Sequence, residues 1–132
     1  MKIVAVDYGS ARTGVAVSDP TGTIARPLGV IERAASEAGL ERLAALIREE
    51  GAERVVVGLP LTLRGEHGAQ AQETGAFVEA LRAAVDVPVE SYDERFTTGL
   101  AATVGSADAP EDARAAAHLL SSYLAWSSSE AK

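Results

Sequence analysis

Hydrophobic and polar positions along the chain change period more than once, and the changes mark out its elements. Lys2 to Val6 is continuously apolar and rich in β-branched residues after its lysine, the composition of a strand covered on both faces. It stops at Asp7-Tyr8-Gly9-Ser10, a turn signal, and Arg12 to Ser18 resumes as a second strand. A third extended piece is predicted from Thr23 to Ile31, after a turn at Gly22. The spacing then becomes helical. Leu40, Leu43, Ala44 and Ile47 fall at i, i+3, i+4 and i+7, which predicts an amphipathic helix over about 36–50 with Gly51 at its C-terminal stop. Arg54 to Val57 reads as a buried strand running into Gly58-Leu59-Pro60. A second helix is predicted over 68–85, with Thr74, Phe77, Val78, Leu81 and Val85 on one stripe. Val87 to Tyr92 is the next strand, and Pro88 lies near its start, where a missing donor is tolerated. After Asp93-Glu94-Arg95 the pattern turns helical and is broken between Gly105 and Pro110. A last helix runs from Glu111 to Trp126 with Ala113, Ala116, Ala117, Leu120 and Leu124 inward, and Ser127 to Lys132 reads as a frayed tail.

The predicted order is β-β-β-α-β-α-β-α-α. This is an α/β protein with a mixed five-stranded sheet, a three-strand meander followed by αβαβ, and helices on both faces. A length of 132 residues predicts one domain, over residues 1–126, since domains commonly take about 100–200 residues.

Composition narrows the chemistry. Twelve Lys and Arg against nineteen Asp and Glu give a net charge of −7, which speaks against a nucleic-acid binder working through one large basic face. It leaves room for an enzyme that uses carboxylates for metal and a few arginines for phosphate. With no cysteine, thiolate nucleophiles, disulfides and Cys-ligated zinc are excluded, and two histidines are too few for a three-His zinc site. Any metal would be a hard cation held by oxygen, Mg²⁺ or Mn²⁺. No apolar run approaches the roughly 18 residues of a membrane span, and the N-terminal run ends too early for a signal-peptide core, so a cytoplasmic location is expected.

Acidic residues in three stretches fall where strand and helix ends could bring them together. Asp7 closes the first strand, Asp93 and Glu94 close the last one, and Asp112 sits in the first turn of the final helix. Sites in open α/β sheets gather at strand ends. Carboxylates that converge there repel one another unless cations neutralise them, and two divalent ions about 3.5–4 Å apart would both satisfy them and support phosphodiester hydrolysis. Each acid also has a plain structural role available. Asp7 could initiate a turn, Asp112 could complement the helix dipole, and Asp93-Glu94 could be a solvated strand end or pair with Arg95. The functional case therefore rests on the set. Asp7 to Gly14 forms a DxGxxxxG turn, also the pattern that actin- and hexokinase-like phosphotransferases use at their nucleotide. There the acid handles metal and the glycines let backbone approach phosphate. Those enzymes enclose nucleotide between two domains, and this length provides one.

The residues resemble the YqgF/RuvX proteins, Holliday-junction-resolvase-like members of the RNase H superfamily. The resemblance runs from about Met1 to Leu124 and rests on four motifs in order. These are Val6-Asp7-Tyr8-Gly9 with Arg12 and Gly14; Val57-Gly58-Leu59-Pro60-Leu61 with Gly65; Tyr92-Asp93-Glu94-Arg95-Phe96-Thr97-Thr98; and Asp112 with Ala115, Ala116, Leu120 and Tyr123. It implies an RNase H-like fold and a divalent-metal nuclease. Asp7 would be the carboxylate shared by both ions, Glu94 the preferred second acid and Asp112 the third. Asp93 stands in reserve, because neighbours on a strand face opposite sides. The implied substrates are the 5′ end of pre-16S ribosomal RNA and, by analogy, four-way DNA junctions; the implied assembly is a homodimer.

Two departures from the family pattern bear on substrate. Thr62 and Arg64 stand where members often carry Asn and Asp after the Gly-Leu-Pro-Leu run. Only eighteen positions separate Glu94 from Asp112, with no Lys or Arg between Arg95 and Arg114, where relatives often have a basic loop. Binding would then rely on Arg12, Arg64 and Arg95, whose guanidinium geometry suits phosphate. For Arg12 and Arg95 the alternative is an ion pair with a neighbouring carboxylate. Thr97 and Thr98 could donate to phosphate oxygens, or one could cap a helix. His118, six residues after Asp112 and about 240° round the helix, falls off the acid face. His67 reads as part of a solvated loop. The rival to a nuclease is a catalytically idle module that binds RNA or a ribosomal partner, a reading favoured by the acidic charge and the missing basic loop.

Overall fold

The computed structural model describes residues 1–59, 69–93 and 110–130. Its elements are β1 (Ile3–Asp7), β2 (Arg12–Ser18), β3 (Ala25–Glu32), α1 (Glu37–Glu50), β4 (Arg54–Leu59), α2 (Ala69–Ala84), β5 (Val89–Asp93) and α3 (Glu111–Glu130). The five strands form one sheet in the order β3-β2-β1-β4-β5. The β1–β2 and β2–β3 pairs are antiparallel, and β1–β4 and β4–β5 are parallel. This is the mixed sheet the pattern predicts. The further helix expected after Arg95 lies outside the described residues. Helix α3 ends later than expected: Ser127–Glu130, read from sequence as a frayed tail, continue the helix. Serine is only a middling helix former, but a helix already anchored by packing extends at the small cost of propagation, and no Gly or Pro interrupts it.

Strand alternation divides the interior into two layers. Val4 and Val6 of β1 and Tyr8 just beyond it, with Val15, Val17, Val55 and Val57, pack against Leu43 and Ile47 of α1 and Phe77, Val78 and Leu81 of α2. Ile3 and Ala5, with Ala16, Ala25, Val56 and Tyr92, pack against Ala116, Ala117, Leu120 and Tyr123 of α3. The α1/α2 layer is filled by large side chains, each worth about 1.5–3 kcal/mol when buried. The α3 layer is rich in alanine, which lets that helix lie close to the sheet.

Local signals fix the element ends. The Ser36 hydroxyl caps α1 by accepting from the Gly39 N–H at 3.0 Å. Gly51 closes the helix at φ 67°, and the N–H groups of Gly51 and Ala52 donate to the Arg48 and Ile47 carbonyls. Among the described residues no helix is long and apolar enough to cross a membrane.

Candidate active site

Because β1, β4 and β5 run parallel, their carboxyl ends lie along one edge of the sheet. Asp7 ends β1 and Asp93 ends β5 in register with Leu59. Asp7 follows Ile3 and Ala5 at period two and so belongs to the side of the sheet that carries α3. Its partner across the antiparallel pair is Gly14.

Gly14 is where the last helix meets the sheet. A Cβ at this position would fall 1.8 Å from the Asp112 carbonyl oxygen and 3.0 Å from the Ala113 nitrogen. Only a bare α-carbon lets the first turn of α3 sit there. In the phosphotransferase pattern such glycines let backbone approach phosphate; here Gly14 admits the backbone of Asp112. The consequence is that Asp7 and Asp112, more than a hundred residues apart, occupy one corner of the molecule. Arg12 joins them. Its Nε lies 3.3 Å from the Asp112 carboxylate, with the Arg12 side chain 69% and the Asp112 side chain 37% exposed. The ion-pair alternative for Arg12 is thus the one observed, and a pair this open to water is worth at most about 1 kcal/mol. Asp112 and Glu111 also stand in the first turn of α3, where negative charge complements the helix dipole.

The turn between Asp7 and Arg12 is held from several directions. The buried Thr13 hydroxyl donates to the Gly9 carbonyl at 3.2 Å, and the Gly9 N–H donates back to it at 3.3 Å. A side chain at Gly9 would collide with the Arg12 carbonyl oxygen, at 2.4 Å. From the other layer, the Tyr8 ring stacks on Phe77 at 4.4 Å. The Tyr8 hydroxyl donates to Glu73 Oε2 at 2.6 Å, and the Ser10 hydroxyl donates to the same oxygen at 2.7 Å. Burial, then the bond to the Glu73 carboxylate, pushes the Tyr8 phenol up to about 12. The two hydroxyl donors, Ser10 foremost, hold the Glu73 carboxyl below the usual range.

Glu73 was not singled out in the sequence, where helix charges read as solvated faces. A signal for it existed: it lies four residues before Phe77, at the margin of the stripe that α2 turns inward. Of the other predicted site residues, Glu94, Arg95, Thr97, Thr98 and Arg64 lie outside the described residues. His118 is exposed on α3, and Trp126 is 48% exposed with its ring 5.8 Å from those of Tyr92 and Tyr123. No group of three or more His, Cys, Asp or Glu that could hold a metal occurs among the described residues.

The class is defined by a mixed sheet of this order, with an acid at the end of its central strand and a C-terminal helix laid across one face. This is the RNase H-like fold. Among solved structures the chain superposes on T. thermophilus RuvC, determined in complex with a Holliday junction substrate. The TM-score is 0.68 over 98% of this chain and 96% of that one, at 17% identity, which is a likeness of fold. At the sequence level, a family described as "RuvX: Holliday junction resolvase" matches residues 1–126, and the chain belongs to that family. A Chloroflexus aggregans relative, provisionally named a pre-16S rRNA nuclease, is 49% identical over 96 residues, 73% of this chain and 68% of its own length. A Rubrobacter xylanophilus relative of the same provisional name is 48% identical over 98 residues, 74% of this chain and 68% of its own. A third, from Chloroflexus aurantiacus, is 46% identical over 73% of this chain and 63% of its own length. The aligned region thus spans about two thirds of these relatives.

Proposed function

We propose that the protein is a divalent-metal-dependent nuclease that hydrolyses phosphodiester bonds in structured nucleic acid, first the 5′ end of pre-16S ribosomal RNA and second a four-way DNA junction. The observation that carries this reading is the seating of Asp112 on Gly14, directly across the strand pair from Asp7. Two carboxylates beside a helix N-terminus are an oxygen-only donor set, which suits Mg²⁺ or Mn²⁺. Asp7 and Asp112 would hold the metal, with a third acid from the end of β5. Along β5, Val89 packs in the α1/α2 layer and Tyr92 in the α3 layer. Glu94 is proposed as that third acid, with Asp93 in reserve.

When bound, such a cation supplies Lewis acidity and lowers the pKa of coordinated water. The chain's own part is positional. Asp7 is fixed by its place in the central strand, and Asp112 by its helix. Arg12, exposed and only loosely paired, is free to exchange its partner for a substrate phosphate in bidentate geometry. Arg64, Arg95, Thr97 and Thr98 are proposed as further phosphate contacts. The working unit is a single domain over 1–126 acting in the cytoplasm, with a homodimer as the proposed assembly.

The test is cleavage of a pre-16S fragment and a four-way junction in parallel, with Mg²⁺ or Mn²⁺, by wild type and Asp7→Asn. The variant is expected to retain its fold and lose cleavage; undiminished cleavage would remove the assignment. One observation favours the rival reading of a catalytically idle RNA-binding module: Arg12 already engages Asp112, in a chain of net charge −7. Calorimetric titration separates the two, since an idle scaffold takes up no Mn²⁺ at this corner.

A further inference from the structure

We propose that Glu73 is a positioning residue for the metal-binding corner, acting through Tyr8 and Ser10 on the strand end that carries Asp7. The inference rests on the reading of Asp7 as a metal ligand.

Asp7 ends β1 on the α3 side, and Tyr8, the next residue, packs in the α1/α2 layer, so the two face opposite sides of the same backbone. Whatever fixes Tyr8 in the α1/α2 layer also fixes the direction of Asp7 on the α3 side. Stacking on Phe77 keeps the Tyr8 ring buried but does not determine its rotation or how far it enters. The hydroxyl bond to Glu73 Oε2 does. The same carboxylate oxygen holds Ser10, two residues further round the turn, so Glu73 clamps the residues immediately beyond Asp7 at two points.

The geometry is that of a working support and not only of core packing. Glu73 and Ser10 are both exposed, and removing their bond opens no cavity. Phe77 lies one helical turn beyond Glu73, so α2 presents a stacking surface and a carboxylate to the same tyrosine.

The experiment measures Mn²⁺ binding by calorimetry on the full chain, well below the melting temperature. Wild type is compared with Glu73→Ala, Glu73→Gln, Ser10→Ala and Asp7→Asn. Loss of an outer support typically weakens a metal site about 10–100-fold, and Glu73→Ala is expected in that range. Ser10→Ala, an exposed change that removes one of the two bonds, is expected to lose less and still to fold. Glu73→Gln keeps an oxygen acceptor and is expected to recover most of the affinity. A merely structural role would lower the melting temperature of Glu73→Ala and leave its Mn²⁺ affinity unchanged. If Asp7→Asn abolishes binding while Glu73→Ala and Ser10→Ala both bind as wild type does, the positioning role is overturned and the metal reading survives. If Asp7→Asn itself binds normally, the metal reading falls and takes this inference with it.

Discussion

Replacing Gly14 with alanine tests whether the last helix is seated as described. The added Cβ would meet three backbone atoms: the Asp112 carbonyl oxygen at 1.8 Å, its carbon at 2.3 Å and the Ala113 nitrogen at 3.0 Å. Ordinary contact begins near 3.4 Å, so strand and helix must separate by about 1.6 Å. No side chain can rotate aside to absorb this. Overpacking costs about 1–3 kcal/mol even where side chains share the strain, so a loss of about 3 kcal/mol is expected, roughly 10 °C in Tm for a chain of this size. Activity should fall further than stability. A displacement of about 1 Å can cost on the order of 100-fold in rate, and here Asp112 moves away from Asp7 by more than that. The assay pairs a thermal melt with metal-dependent cleavage at a temperature where the variant remains folded. Gly29→Ala is the control. It sits in β3 with nothing within 4 Å of its added Cβ, and should be neutral or stabilising by up to about 1 kcal/mol. Wild-type melting and cleavage in Gly14→Ala would refute the seating of α3 on β2, and with it the case for the site.

Other predictions test features away from this corner. Asp19 accepts from the backbone N–H groups of Ile24 and Thr23 and from the Thr21 hydroxyl, which hold its carboxyl well below the usual range. A depressed folded pKa means stability that is present above the unfolded value of about 4 and is lost as pH falls below it. Asp19→Asn should therefore melt lower than wild type at pH 7, with the difference closing on acidification; a gap independent of pH would contradict this. The buried Tyr123 hydroxyl donates to Glu90 and accepts from Arg54 at 2.9 Å. Tyr123→Phe should lose about 1–2 kcal/mol in denaturant unfolding, and no change would show that Arg54 and Glu90 satisfy each other directly.

Most of the fold was legible because its elements carry strong periods. Leu40, Leu43, Ala44 and Ile47 with Gly51 place α1 within a residue of its observed ends, and the valine runs place β1 and β4. Boundaries failed where tertiary packing decided them, as in the four further residues of α3. The candidate corner was legible in part. Asp7 and Asp112 could be named from strand and helix ends, but what joins them could not. A glycine that admits a helix backbone looks, in sequence, like any glycine in a turn. Glu73 was hidden for a related reason: its partners Tyr8 and Ser10 lie more than sixty residues earlier, and no local pattern reports a bond of that range. Arg12 was open between a phosphate and a carboxylate because both are anionic, and its pairing with Asp112 depends on the approach of α3, which no local pattern reports.

The arrival of α3 on β2 also has a temporal meaning. Strands β1 and β2 are made within the first eighteen residues, yet the carboxylate that completes their corner is translated only at position 112. During synthesis the chain therefore holds Asp7 for more than a hundred residues before Asp112 exists, and the two come together only when the closing helix docks on Gly14. Truncated translation products that stop short of that helix would carry the first motif in full and none of the assembled corner.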